Sequence, residues 1–450
     1  MSRTISIKKG LNIPLQGIAN ELITDHLSIR KFAIDPADFR FVIPKMLVKV
    51  GDNVEAGSPL FYDKLHENHI IVSPISGIVT DILRGEKRKI LSIAIDSDEK
   101  NKSKHFEKVS LATLTRDDLT KILLETGLWS FIKQRPFNSI ANEKLTPKAI
   151  FISCFNTAPL APKFAFILKG NETAFATGIE MLRRYTNGKI HLNVDANEPV
   201  NPTLSMLKGV EINQFSGKHP AGNVGVQIHH LDPINKGDIV WTIAPEDLII
   251  IGRFFEHGVI DMRKTVAITG SELTKPYYTQ IPIGAEITPL LEGNLKFENN
   301  RYISGNVLTG KQITKDGFLG YYHNQLTVIP EGKHHEFLGW ASLGAHKYSF
   351  SKTFLAKLFP KKEYRLDSNI HGGERAYVIT GEFEKVLPMD IYPMQLIKAI
   401  LAEDIDMMES LGIYEVDNED FALCEYICTS KTNIQDIITN GIELMRKEMS

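Results

Sequence analysis

From Phe41 to Ile95 apolar and polar positions alternate in short runs broken by glycine, as "FVIPKMLVKVGDNVEAGSPLFYD" and then "HIIVSPISGIVTDILRGEKRKILSIAI". Period-two runs rich in β-branched residues, punctuated by Gly51-Asp52, Gly57 and Gly85, predict two similar strand-turn-strand halves. They imply a small β-barrel or sandwich. From about Leu111 the period lengthens. In "TRDDLTKILLETGLWSFI" Leu119, Ile122, Leu123 and the Leu128–Trp129 pair fall at helical spacing, with Thr115 as the N-cap ahead of Asp117 and Asp118. An apolar run Ala149–Phe155, a helical pattern Thr173–Tyr185 closed by Asn187-Gly188, and a strand-like Lys189–Val194 follow in the order of a βαβ unit. Further on, "KTVAITGSELTKPYYTQIPIGAEITPLLEG" reads strand, turn, strand, short helix. The last hundred or so residues are helical almost throughout, with Pro393 early in one helix and Gly412 and Gly441 as interruptions.

Composition narrows the class. A chain of 450 residues exceeds one core, so several packed domains are expected, with no low-complexity linker between them. A formal charge of -2 and 24% charged residues give no general polycation, so nucleic acid is not an expected partner. The N-terminal "MSRTISIKKGLNIPLQG" lacks the apolar core of a secretory signal. No apolar run approaches the roughly 18–20 residues that cross a bilayer, so a peripheral, cytoplasmic chain is expected. The three cysteines, Cys154, Cys424 and Cys428, are too few for a complete iron–sulfur site and fit a reducing compartment.

The chemistry-bearing residues divide unevenly. "VKVGDNVEAGSPLFYDKL" with "SPISGIVTDI" resembles the barrel-sandwich fold of biotinyl and lipoyl carriers. In those carriers the modified lysine stands at the hairpin tip, eleven positions before the glycine matching Gly77, and here that position is His66. Lys64 is then expected on the strand leading to the tip, and the barrel is expected to be unmodified, its role docking. His66 and His69, three apart in a strand, should point to opposite faces, and His229-His230 and His334-His335 should diverge, so no metal site is expected. Cys424 and Cys428 share a helical face and read as core. No dinucleotide fingerprint follows Ala149–Phe155. The glycine loop "FSGKHPAGNVGVQ" lacks a following helix signal and reads as a turn-rich loop offering Lys218 and His219 to an anionic or carbonyl ligand. In "GLWSFIKQRPFNS", Trp129, Phe131 and Phe137 accompany Lys133 and Arg135. Aromatic faces beside cations suit a flat ring bearing carbonyls, such as a quinone, and are more often core with snorkelling bases.

Longer segments carry a resemblance over the whole chain: "IKKGLNIPLQG" (Ile7–Gly17), "ETGLWSFIKQRPFNS" (Glu125–Ser139), "HPAGNVG" (His219–Gly225), "LGWASLGAHKYSFSKTFLAKLF" (Leu338–Phe359), "GERAYVITGEFEKVLPMDIYP" (Gly373–Pro393) and "DNEDFALCEYIC" (Asp417–Cys428). They resemble the A-subunit family of sodium-translocating NADH:quinone reductases. The resemblance implies a multi-domain α/β and α+β fold. Its parts would be a carrier-like barrel-sandwich with an N-terminal extension (1–110), a Rossmann-like α/β domain without a dinucleotide fingerprint (111–260), a β-grasp, SLBB-like domain (261–335), and a linker with a C-terminal helical domain (336–450). It implies a peripheral subunit on the cytoplasmic side of the bacterial inner membrane, docked on membrane-embedded subunits of a respiratory complex that oxidises NADH, reduces quinone and exports sodium. NADH, FMN, FAD, riboflavin, iron–sulfur and quinone would belong to other subunits, with no cofactor and no catalytic residue on this chain. Relatives in other redox complexes carry a flavin-binding glycine loop where bulky Trp129, Phe131 and Phe137 stand here. The expected contribution is a quinone contact through Trp129, Phe131, Lys133, Arg135, Phe137 and His219. The alternative is a structural assembly adaptor with no ligand site.

Overall fold

The fold is described from a computed structural model covering residues 3–24, 28–108, 110–333, 339, 342–345, 347–359 and 361–449. Its centre is a seven-stranded sheet in the order Thr4–Ile7, Glu211–Gly217, Lys189–Asp195, Ala149–Ser153, Val240–Thr242, Lys133–Arg135, Ser139–Ile140. The first five strands run parallel, and the sixth runs antiparallel to its neighbours on both sides. The N-terminal strand thus completes a sheet whose other members lie more than a hundred residues further on.

Parallel strands are buried on both faces, and the apolar run Ala149–Ser153 shows what each face meets. Ile150 and Ile152 point into a core shared with the helices Glu172–Leu182 and Pro245–His257 and with the N-terminal barrel. Ala149 and Phe151 point into a second core, shared with the helix Val224–Leu231 and the C-terminal helices. Trp241 and Val240 divide in the same way. The C-terminal helices are therefore one of the two covers that this sheet requires.

The barrel consists of a four-stranded sheet (Lys31–Ile34, Ile90–Ser97, Gly77–Arg84, Asn53–Val54) and a three-stranded one (Pro44–Met46, Pro59–Asp63, His66–Val72). A five-stranded sheet, Tyr277–Pro282, Arg263–Thr269, Gln325–Pro330, Asn300–Ser304, Lys311–Ile313, follows the α/β part, with the helix Thr288–Leu291 on its connection. The C-terminal helices are Pro393–Leu401, Ile405–Ser410, Ala422–Ile427 and Ile434–Met449.

Local signals place several boundaries. Thr115 and Asp118 form a reciprocal capping box on the helix Arg116–Glu125. Leu128 and Trp129 do not continue that helix: Gly127 turns left-handed at φ 72° and a short 3-10 turn, Leu128–Phe131, follows. Pro393 opens its helix as expected, and Gly412 adopts φ 86° between two helical pieces. Gly441 interrupts nothing. It lies inside Ile434–Met449, where a Cβ would come within 2.7 Å of Ile400 Cγ1, so glycine there lets two helices approach.

Candidate functional site

The segment Gly127–Ser139 lies at the junction of all these parts. Trp129 is 1% exposed, packs edge-on against Tyr185 and Trp241, and donates its indole N–H to the Ala141 carbonyl at 2.7 Å. It belongs to the α/β core. Phe131, equally buried, stacks on Tyr321 with ring centroids 5.3 Å apart, and the Lys264 ammonium stands 5.6 Å from its centroid. Lys133 and Arg135 share one face of the strand next to the sheet edge, being two residues apart. Lys133 is half-buried, its ammonium 3.6 Å from the centre of the Tyr322 ring, where burial lowers its pKa against the pull of Asp247, Asp417 and Glu419.

Arg135 is 2% exposed. Its Nη2 donates to Glu419 Oε1 at 2.8 Å and lies 3.5 Å from Asp417 Oδ2, while Nη1 is 3.9 Å from Asp420 Oδ2. Burial alone would lower its pKa, but Asp417, Glu419 and Asp420 more than offset that and raise it. Asp417 also takes bonds from Arg40 (2.5 Å) and Asn138 (2.5 Å), and despite burial Arg135 and Arg40 keep its carboxyl below the usual range. Phe137, at φ 82°, is half-buried beside Tyr414. Asp420 is pushed up to about 7 by burial and by Glu419 and Asp417, with Arg135 opposing. Arg135 Nε and Nη1 and Asp420 Oδ1 are buried without hydrogen-bond partners.

His219 stands apart from that segment. Its amide donates to Asn12 Oδ1 at 2.9 Å, and its Nδ1 is 3.2 Å from the Thr157 hydroxyl. Nε2 is buried without a partner, and burial lowers the imidazole pKa to about 4, so it is neutral. The six expected quinone contacts are thus spread over four places: the α/β core, the seam with Tyr321 and Tyr322, the seam with Asp417–Asp420, and the separate loop of His219. Only Lys133 and Phe137 among the six keep partly exposed side chains.

The glycine loop is followed by a helix after all, Val224–Leu231, giving a strand-loop-helix unit. Glycine in its first turn, at Gly225, hid it, although Asn223 at its N-cap was an available signal. Its first turn is occupied by the protein itself: a Cβ at Gly225 would lie 2.5 Å from Asp420 Oδ2. An internal carboxylate holds the place where a bound anion would sit. Sequence reasoning passed over Asp417, Glu419 and Asp420 as site residues. The available signal was the acidic stretch at the start of a helix, since Asp417 and Asp420 form a capping box.

The barrel hairpin also differs from expectation. Asp63 ends one strand and His66 begins the next, so the turn is Lys64-Leu65 and the exposed Lys64, not His66, occupies the tip. Counting back from Gly77 failed because the pairing slips: Tyr62 faces Ile70 but Asp63 faces His66, leaving three residues unpaired on the return strand. The same bulge defeats the expectation that His66 and His69 point apart. Their rings stack with centroids 5.1 Å apart and planes 16° from parallel. His229 and His230 each have separate bonds, to Glu415 (2.7 Å) and to the Val226 carbonyl (2.9 Å). His334 and His335 lie outside the described residues. Cys424 and Cys428 are both buried in the C-terminal core.

Among the described residues no helix is long and apolar enough to cross a membrane. Three family models match: an NqrA N-terminal barrel-sandwich hybrid domain over residues 5–98, an NqrA second alpha/beta domain over 114–260, and an NQRA C-terminal domain over 265–315. Curated relatives named as the A subunit of Na(+)-translocating NADH-quinone reductase include that of Cellvibrio japonicus, 36% identical over 99% of this chain and 100% of the relative. That of Yersinia pestis is 37% identical over 97% of this chain and 98% of its own, and that of Hahella chejuensis 36% over 99% and 100%. A chain from an air-oxidized NAD+-reducing [NiFe]-hydrogenase crystal structure aligns at 12% identity with a TM-score of 0.36, covering 67% of this chain and 55% of its own.

Proposed function

The chain belongs to the NqrA family, the A subunits of the Na(+)-translocating NADH-quinone reductase, an oxidoreductase complex, and from that premise we propose that it forms part of the quinone-binding surface of that complex while docking on its membrane-embedded subunits. The observation that carries the quinone reading is Lys133. Its cation is desolvated, it lies against an aromatic face, and its side chain remains partly open, at a seam built from three parts of the chain. An ammonium so placed donates to a quinone carbonyl, and Phe137 offers a ring face nearby in sequence. Trp129, Phe131 and Arg135 act beneath them as the packed support that fixes the strand. His219 supplies a neutral, unpartnered imidazole nitrogen at a separate loop.

Docking is supported by the surface after the five-stranded sheet. There Leu343, Leu355, Leu358 and Phe359 are 75, 42, 65 and 57% exposed, with exposed Lys352 and Lys357 among them. An apolar patch with basic residues around it fits the cytoplasmic face of membrane subunits, where positive charge is also favoured by anionic lipid. On this reading NADH, FMN, FAD, riboflavin and iron–sulfur are held by other subunits, and this chain contributes positioning without electron transfer of its own.

The test is the assembled complex carrying Lys133→Met or Phe137→Ala, assayed for quinone reduction and for NADH oxidation by an artificial acceptor. A charge-assisted hydrogen bond is worth about 1.5–3 kcal/mol, so the quinone KM should rise by roughly ten- to a hundredfold in the lysine variant, with assembly and artificial-acceptor activity retained. An unchanged quinone KM in both variants would overturn the quinone reading in favour of a purely structural adaptor.

A further inference from the structure

The bulge in the barrel hairpin gathers donors that a regular strand would separate. The ligand atoms of Asp63, His66 and His69 lie within 4.8 Å of one another. Asp63 is 4% exposed and its Oδ1 is anchored by the backbone N–H groups of Ile43 (3.0 Å) and Leu65 (3.2 Å), which leaves Oδ2 as the outward donor. His69 is 5% exposed, and its Nε2 is 3.0 Å from Glu143 Oε2. A carboxylate on the far nitrogen of an imidazole fixes the ring and its tautomer, the usual support behind a metal-ligating histidine, and frees Nδ1 to coordinate. His66 is exposed, its Nδ1 3.1 Å from Asp63 Oδ2, so two donors are held by the fold and the third can swing.

We propose that Asp63, His66 and His69 form a binding site for a divalent ion of the zinc class, with Glu143 as the supporting carboxylate and a solvent molecule completing the coordination. Two imidazoles and one carboxylate suit zinc and its neighbours and suit magnesium or calcium poorly, because those ions prefer oxygen donors throughout. Zinc bonds of about 2.0–2.2 Å in a tetrahedral site place ligand atoms roughly 3.3 Å apart, so the cluster must contract by ~1.5 Å at most. The exposed His66 ring supplies that movement by exchanging its bond with Asp63 for the ion. Asp63 and Glu143 are already faced by Arg446 and Lys144, so the ion has to compete with two cations, both of which solvent also reaches. Since Glu143 lies in the loop before the central parallel strands, an ion here would tie the exposed end of the hairpin to the α/β part. The hairpin whose tip in a carrier presents a covalent arm would hold a metal ion beside its turn.

The full chain, stripped with chelator, should take up one equivalent of Co(II) with the visible absorption of four-coordinate nitrogen and oxygen ligation, displaced by Zn(II). His66→Ala, at an exposed position that the fold does not need, should weaken binding by more than tenfold, and Glu143→Gln by ~10-fold through the supporting bond. Absence of saturable Co(II) or Zn(II) uptake at micromolar concentrations would overturn the site. So would uptake that is unchanged in His66→Ala, since the ion would then be held elsewhere.

Discussion

Asp420 concentrates the electrostatic tension of the seam in one carboxyl group. Buried beside Glu419 and Asp417, with the more distant contact to Arg135 and the Asp417 amide in its favour, it has a pKa raised to about 7, against about 3.9 for an unfolded aspartate. A carboxyl pKa raised by folding means that the ionised form is disfavoured in the folded state. That penalty is absent below the unfolded value, grows as pH rises towards 7, and is complete above it. Asp420→Asn keeps an acceptor for the Asp417 amide, which now donates to Asp420 Oδ2 at 3.0 Å, and removes the ionisation. The variant should therefore gain on the wild type as pH rises from about 4 to 7, reaching on the order of 1 kcal/mol or more at pH 8, read as the difference in guanidinium midpoints across that range. A difference that stays constant with pH would show that the carboxyl is not the strained group. The sequence displayed Asp420 only as one of several acids before a helix; its burial depends on Arg135, nearly three hundred residues away, a pairing that no local pattern encodes.

The limits of periodicity show most clearly in the elements themselves. Where packing and local chemistry agree, the sequence was sufficient: the Thr115–Asp118 box starts its helix, and the apolar run at Ala149 is a strand covered on both sides. The bulge at His66–His69 was hidden because a register slip changes no residue type and moves every side chain. Gly441 misled in the opposite direction, since helix propensity treats glycine as a breaker while packing uses its missing Cβ. The balance between the two can be tested. Gly441→Ala gains about 0.5–1 kcal/mol in helix propensity, but its Cβ would meet Ile400 Cγ1 at 2.7 Å, Cδ1 at 2.8 Å and Cγ2 at 3.0 Å. Overpacking a buried contact costs roughly 1–3 kcal/mol, so the substitution should be destabilising by thermal melting. The loss should shrink in an Ile400→Val background, where one of the crowded atoms is gone. A stabilised Gly441→Ala would mean that the helices have room to separate.

At the scale of the whole molecule, polar ties between modules accompany the continuous apolar cores. Lys264, on the five-stranded sheet and 4% exposed, places its ammonium 2.6 Å from Asp247 Oδ1 on the helix Pro245–His257 and donates to the Tyr321 carbonyl at 3.0 Å. Tyr322 returns a bond to the Ser130 carbonyl at 2.7 Å, and Phe131 stacks on Tyr321, so one seam fastens the α/β part to the sheet beside it and underlies Lys133. Burial raises the Asp247 carboxyl pKa while Lys264 pulls against it, which makes the pair depend on both members. Lys264→Met should thus leave a desolvated carboxylate without its counter-ion, at a cost of about 3–5 kcal/mol, whereas Lys264→Met with Asp247→Leu removes both charges and should recover most of that loss. Fluorescence of Trp129 and Trp241 during denaturation reports the α/β side of the seam, and proteolysis within the five-stranded sheet reports the other. If the pair couples the two parts, the single variant should separate these transitions and the double variant should bring them back together. Equal losses in the two variants would instead assign the cohesion of the seam to its aromatic stack, with the ion pair incidental to it.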